Sequence, residues 1–195
     1  MNFEHWRHSA RAWVFHFLGK NDLAFDEYAI AFRHQPDARV ARNLGFIAVQ
    51  RGRPADGAQW FSEAVRLDGT RAETWFNLGF AREQNGQRRE AIEAFREAVR
   101  LAPSLDRAWY GMGIAHAALG EHGEAATALE MAAKLQPMNG EAWYQLGMAH
   151  HHAHAPERVV EVIEKLKSFE PKRANQLIRD AGRSDLHHLH TDLPF

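Results

Sequence analysis

The sequence predicts an all-α solenoid, a row of helical hairpins of one design, and three observations point to it. Gly45, Gly79, Gly113 and Gly147 stand 34 residues apart. Trp75, Trp109 and Trp143 each precede one of these glycines by four residues, and Leu67, Leu101, Leu135 and Phe169 each follow one by 22. A unit this short cannot bury its own apolar face, so copies must stack on one another. Stacking builds an extended surface rather than a closed pocket. Such a surface is suited to holding another molecule.

The copy from Arg71 to Ser104 shows how each unit reads. Trp75, Leu78, Gly79 and Arg82 follow the i, i+3, i+4, i+7 spacing of one helical face. A glycine inside a helix is unfavourable by up to about 1 kcal/mol against alanine, so its recurrence marks a close approach of a neighbouring helix. Asn85-Gly86 ends this first helix with a left-handed cap. The second helix buries Ala91, Phe95, Ala98 and Leu101, and Pro103 stops it. Its other face, with Arg89, Glu90, Glu93, Arg96, Glu97 and Arg100, carries mixed charge and faces water.

This pattern resembles the tetratricopeptide repeat family, whose 34-residue motif runs Trp, Leu-Gly, Ala, a Phe-like residue, Ala and Pro. Trp75, Leu78, Gly79, Ala91, Phe95, Ala98 and Pro103 match it, as do Trp109, Met112, Gly113, Ala125, Leu129, Ala132 and Pro137. The resemblance implies a right-handed α-solenoid of five helix-turn-helix repeats with a C-terminal capping helix, a single body over residues 1–182. In chain order, the first copy (about 5–37) has Gly19, Ala24, Tyr28, Ala31 and Pro36 but no Leu-Gly pair in its first helix, about Phe3 to Leu18. Terminal units deviate because one face meets water. The second (38–71) keeps Leu44, Gly45, Phe61 and Ala64, with Ala41 for the tryptophan, Gly57 for the alanine and Gly69 for the proline. The third (72–105) and fourth (106–139) are complete. The fifth (140–173) keeps Trp143, Leu146, Gly147 and Pro171, with Val159, Ile163 and Leu166 in the second helix. The stripe Ala174, Leu177, Ile178, Ala181 then predicts a capping helix over about 172–182, ended by Gly182. The tail, 183–195, has no period. Its Leu186, Leu189, Leu193 and Phe195 give it the means to dock in its own groove or a neighbour's, although an untethered terminus frays.

Composition bounds the function. The 195 residues are 45% hydrophobic, enough for a substantial core, and the regular period favours one solenoid over independent domains. A net charge of −1 provides no basic excess to draw nucleic acid or anionic lipid. Absence of cysteine excludes disulfides and thiolate metal sites. The only apolar stretch near the N-terminus, Ala12 to Leu18, is interrupted by His16 and reads as no signal peptide. No run approaches the roughly 20 apolar residues of a membrane span. The expectation is a cytoplasmic protein.

In this family the first helix of each pair lines the concave side, so the resemblance implies a partner-binding groove. It would contain Arg39, Arg42, Asn43, Phe46, Phe76, Asn77, Phe80, Arg107, Tyr110 and Tyr144, together with Trp13, His16, Glu73, Ile114 and Met148. Exposed aromatics in a row give contact area at little side-chain entropy, although the same positions also serve packing between repeats. Asn43 and Asn77 could pair with the backbone of an extended ligand. Arg42, Asn77 and Arg107 fall where the family's carboxylate clamp has two basic residues and an asparagine, but Phe46 and Gly111 replace two further donors. The resemblance therefore implies an acidic or C-terminal peptide held less fully than by that clamp.

Thirteen histidines raise a metal reading. His150 and His154 have i, i+4 spacing, yet His154 occupies the turn position of Gly52, Gly86 and Gly120, past the helix end. His116 and His150 share a packing column, and His187, His188 and His190 lie in the tail. No metal or cofactor is expected. Without a phosphate loop, a nucleophile elbow or an H-E-x-x-H motif, neither is an enzyme. The expected function is a scaffold or adaptor binding a peptide or helical segment. Alternatives are a self-assembling structural protein stacking through its ends or tail, and a histidine-dependent metal binder.

Overall fold

A computed structural model describes residues 3–183 and 185–186. Its described residues form eleven α-helices joined by short turns, the all-α repeat fold expected from the sequence. They group into two compact units, residues 1–102 and 103–195. The first holds α1 (Phe3–Phe17), α2 (Asn21–His34), α3 (Ala38–Gln50), α4 (Pro54–Leu67), α5 (Ala72–Gln84) and α6 (Arg88–Leu101). The second holds α7 (Asp106–Ala118), α8 (His122–Leu135), α9 (Gly140–His152), α10 (Pro156–Lys167) and α11 (Pro171–Asp180). Odd-numbered helices up to α9 pair with the helix that follows, and α11 packs on both α9 and α10. The docking of the tail and the histidines at 187, 188 and 190 lie outside the described residues.

The motif columns are the core. In the first unit Ala12, Ala24, Tyr28, Ala31, Val40, Leu44 and Ile47 form one buried cluster, and Phe61, Leu78, Ala81 and Ala94 belong to another. In the second unit Leu129, Leu146, Val159, Ile163 and Leu166 are joined by Leu177 and Ile178 of the capping helix. The recurring glycines are the points where paired helices touch. A Cβ at Gly79 would stand 2.7 Å from Cδ1 of Phe95 and 3.1 Å from the carbonyl oxygen of Ala91. Gly45 meets Phe61 and Gly113 meets Leu129 in the same way. Gly147 differs, since its nearest atoms belong to Leu177 of α11. Val159 stands where the earlier pairs have Gly57, Ala91 and Ala125, and its bulk fills the close approach that those small residues permit.

Each motif tryptophan has a second use. The indole Nε1–H of Trp75 donates to the Gly69 carbonyl at 2.9 Å, that of Trp109 to Pro103 at 2.9 Å, and that of Trp143 to Pro137 at 3.0 Å. Every first helix from α5 to α9 is thereby tied to the linker before it. The turns close with backbone caps. After α5, Gly86 N–H bonds to the Glu83 carbonyl at 2.9 Å and Gln87 N–H to that of Arg82 at 2.8 Å, with Gly86 at φ +76°. After α9 the same two bonds form, yet the left-handed residue is His154 at φ +55°, confirming that this histidine lies past the helix end.

Candidate functional site

In the first unit, α3 presents Arg39, Arg42, Asn43 and Phe46 on one face, because Ala41, Leu44, Gly45 and Ala48 turn the opposite face inward. Beside Arg39 and Asn43 lies a groove of about 830 Å³ whose far wall is α1, through Trp6, Ala10, Trp13 and Val14. Tyr28 of α2 is also part of its lining. Trp6 and Trp13 are 57% and 62% exposed, an apolar wall open to water. The Asn43 side chain hydrogen-bonds the Tyr28 hydroxyl, whose pKa burial raises while Arg39 and Asn43 lower it. Asn43 is thus partly committed to its own fold. Phe46 is 46% exposed and stands 5.9 Å from the His16 ring.

Next to the groove sits a cationic cluster. Burial is the largest influence lowering the pKa of Arg42, and the neighbouring Arg71 adds to it. Asp68 and Asp37 oppose the shift, and Arg39 reinforces it. Arg42 Nη1 is buried with no hydrogen-bond partner. Asp68 is held below its usual range chiefly by Thr70, with Arg42 and Arg71 contributing. One Arg42 donor is thus left unused in a cluster of three arginines and two aspartates.

On α5, Phe76 stacks on Phe80 at 6.3 Å and tilts against Phe95 of α6 at 5.9 Å. Phe76 therefore serves hairpin packing, while Phe80 is 43% exposed. Asn77 beside them is half-buried.

The second unit holds the remaining expected residues. Arg107 is exposed on α7, and Tyr110 packs half-buried against the core cluster. Burial raises the Tyr110 pKa, Glu141 adds to the rise and Arg173 opposes it. Tyr144 donates its hydroxyl to Asp180 Oδ2 at 2.7 Å, and the Arg173 guanidinium lies 5.6 Å from its ring. Tyr144 is thus bound to the capping helix. His150 is half-buried, its pKa lowered mainly by burial, and His116 is tied to Glu121 at 2.7 Å. Both have the packing role expected of their column.

Trp6, Ala10 and Val14 were not among the residues expected in the groove. Their signal was present, since 6, 10, 13, 14 and 17 make one helical stripe. Without a Leu-Gly pair in α1, nothing in the motif said which way that stripe turned.

The profile of the tetratricopeptide repeat family matches residues 9–72, 76–137 and 110–161. No curated protein sequence matches the chain. Among solved structures, one described as the crystal structure of MamA protein is 22% identical and superposes with a TM-score of 0.80, covering 100% of both chains. YrrB, described as a TPR protein with an unusual peptide-binding site, is 18% identical with a TM-score of 0.79, over 88% of this chain and 90% of that one. MamA residues 41 to the end from Desulfovibrio magneticus RS-1 are 17% identical with a TM-score of 0.77, over 92% and 98%. At these identities the likeness shows the fold.

Proposed function

Since this chain belongs to the tetratricopeptide repeat family, a family of protein-interaction scaffolds, we propose that it is a non-enzymatic adaptor whose first unit grips a peptide. The ligand is an apolar segment carrying an acidic group. The observation behind this reading is the 830 Å³ groove, with a tryptophan-rich wall on α1 and Arg39 and Asn43 on α3. Large, stiff aromatics supply area at low entropic cost. Arg39 and the under-bonded Arg42 supply the charge that fixes direction. Phe46 and Phe80 extend the apolar track along α3 and α5. The peptide-binding site in the description of YrrB supports the same class of ligand. In this reading Arg107, Tyr110 and Tyr144 contact the partner less, because Tyr144 is already engaged by Asp180. The reading carries with it a cytoplasmic location; among the described residues no helix is long and apolar enough to cross a membrane.

The test is selection of binders from a random peptide library, followed by affinity measurement with variants. Trp13→Ala and Arg39→Glu should each weaken the selected peptides at least about tenfold, a loss of about 1.4 kcal/mol. Equal affinity in both variants overturns the groove.

One observation favours a second reading, self-assembly. Phe3 and Phe17 on α1 are 65% and 78% exposed, beside Trp6 and Trp13. A terminal helix that apolar is also a surface for a second copy. Light scattering across concentration separates the two: an adaptor keeps its size, and a self-assembling chain grows.

A further inference from the structure

The crossing of α1 and α2 brings together three side chains that the repeat motif does not require. Glu4 and His8 share a face of α1 at i, i+4, and His34 is the last residue of α2. One donor atom from each lies within 4.8 Å of the other two. The His8 and His34 rings lie nearly parallel, 11° apart, with centroids at 5.9 Å.

His8 is 8% exposed, and its Nδ1 is 2.5 Å from Oε2 of Glu27, itself 9% exposed. The other Glu27 oxygen is bound by Arg11 at 3.0 Å. Glu27 accepts the Nδ1 proton and so fixes the tautomer whose lone pair is on Nε2. That Nε2 faces Oε2 of Glu4 at 3.6 Å. A guanidinium sits between them: Arg7 Nη2 is 2.6 Å from Glu4 Oε2 and 3.2 Å from His8 Nε2. A positive group already bridges the two donor atoms.

We propose that Glu4, His8 and His34 form a zinc site that clips the start of α1 to the end of α2. Two imidazoles and a carboxylate, with a fourth position open to water, are a ligand set zinc takes. A buried carboxylate on the far nitrogen of a ligand histidine is the support such sites use, because it orients the ring and raises its basicity. Zinc–ligand bonds near 2.0–2.1 Å place tetrahedral donors about 3.3 Å apart, so side-chain rotation at the exposed His34 and the half-buried Glu4 completes the site. Arg7 leaves when the ion enters. Both helices are local to the first hairpin, so the site stands whether or not the groove beside it binds peptide.

The experiment uses the full chain, stripped with chelator and titrated with zinc alone by calorimetry, then with cobalt(II) read by the visible absorption of a tetrahedral ion. One ion per chain is expected. His34→Ala, with its helical signal checked by circular dichroism because the ring stacks on His8, should abolish stoichiometric binding, as should His8→Ala. Glu27→Gln should weaken binding about 10- to 100-fold, the range for loss of an outer partner. Arg7→Gln should tighten it by up to about fivefold, the worth of an exposed ion pair. A triple His187→Ala, His188→Ala, His190→Ala variant and a His150→Ala variant should bind as the parent does. No binding at micromolar zinc overturns the proposal, as does unchanged binding in His34→Ala or loss confined to the tail variant.

Discussion

Gly79→Ala tests the packing on which every hairpin depends. The added methyl would lie 2.7 and 2.8 Å from two ring carbons of Phe95 and 3.1 Å from the Ala91 carbonyl oxygen. Carbon atoms rest about 3.5–4.0 Å apart, so the ring must retreat by roughly 1 Å. Phe95 is 1% exposed and cannot swing into water, and the carbonyl belongs to backbone. Overpacking of this kind typically costs about 1–3 kcal/mol, offset by about 1 kcal/mol of better helix propensity. The expected net loss is about 1 kcal/mol, or 2–4 °C in Tm for a chain of this size. Gly123 is the internal control, because a Cβ there meets nothing within 4 Å and it sits in α8 without positive φ. Gly123→Ala should therefore raise Tm, by up to about 1 kcal/mol of stability. Phe95→Ala alone should lose about 3–5 kcal/mol, and in that background Gly79→Ala should cost clearly less than in the parent, since the ring clash has gone and only the 3.1 Å contact to the Ala91 carbonyl oxygen remains. Thermal melts followed by circular dichroism measure all four. If Gly79→Ala melts at or above Gly123→Ala, or its loss is undiminished beside Phe95→Ala, the close-approach argument is refuted.

Three further outcomes are expected. His154→Gly should stabilise the turn after α9, because a left-handed conformation costs a side chain roughly 1–2 kcal/mol and glycine returns part of that as unfolded-state entropy; a net gain of about 0.5–1 kcal/mol should appear as slower amide exchange around residues 150–155. Trp75→Phe should lose the bond to Gly69 and about 1 kcal/mol of stability, read from urea midpoints. The folded-state pKa of His150 lies below its ordinary 6.5, first through burial and then through Arg158, with Glu130 and Glu161 opposing. The unfolded chain therefore takes up the proton first as pH falls through 6.5. Stability present above that pH drops until the folded pKa is passed, and His150→Phe should flatten this part of the urea midpoint profile against pH.

Legibility in the sequence followed what periodicity can carry. Spacing alone located every hairpin from Ala38 onward, the glycine turns, and the stripe of Ala174, Leu177 and Ile178 that α11 buries. It also placed His154 beyond a helix end, because a column holding Gly52, Gly86 and Gly120 demands a left-handed residue. Contacts between columns were not legible. The Trp75 indole reaching six residues back to Gly69, and Leu177 rather than Ile163 filling the space at Gly147, depend on helix separations that spacing does not encode. In α1, Glu4 and His8 share a face at i, i+4, but the repeat motif gives that pair no signal. Their third partner, His34, lies 26 residues beyond His8, and only the hairpin crossing brings it near.

The division between motif and groove columns explains how one frame can serve recognition. Trp75, Leu78, Gly79, Ala91, Phe95 and Ala98 are spent on packing or on the Gly69 carbonyl, and changing any of them disturbs the helix spacing itself. Positions off the motif columns, such as Arg39 and Phe46 on α3 and Phe80 on α5, reach water. Surface changes of that kind usually fall within about 0.5 kcal/mol of neutral, while each can alter affinity by more. If the proposed groove is the binding surface, its recognition could be rewritten residue by residue at almost no cost to folding. Arg42 and Asn43 would be the intermediate case in the proposed groove, because burial and the Tyr28 hydroxyl already engage them in the fold. Where a binding column doubles as a packing column, its side chain is already oriented before a partner arrives, and less entropy remains to be lost on binding.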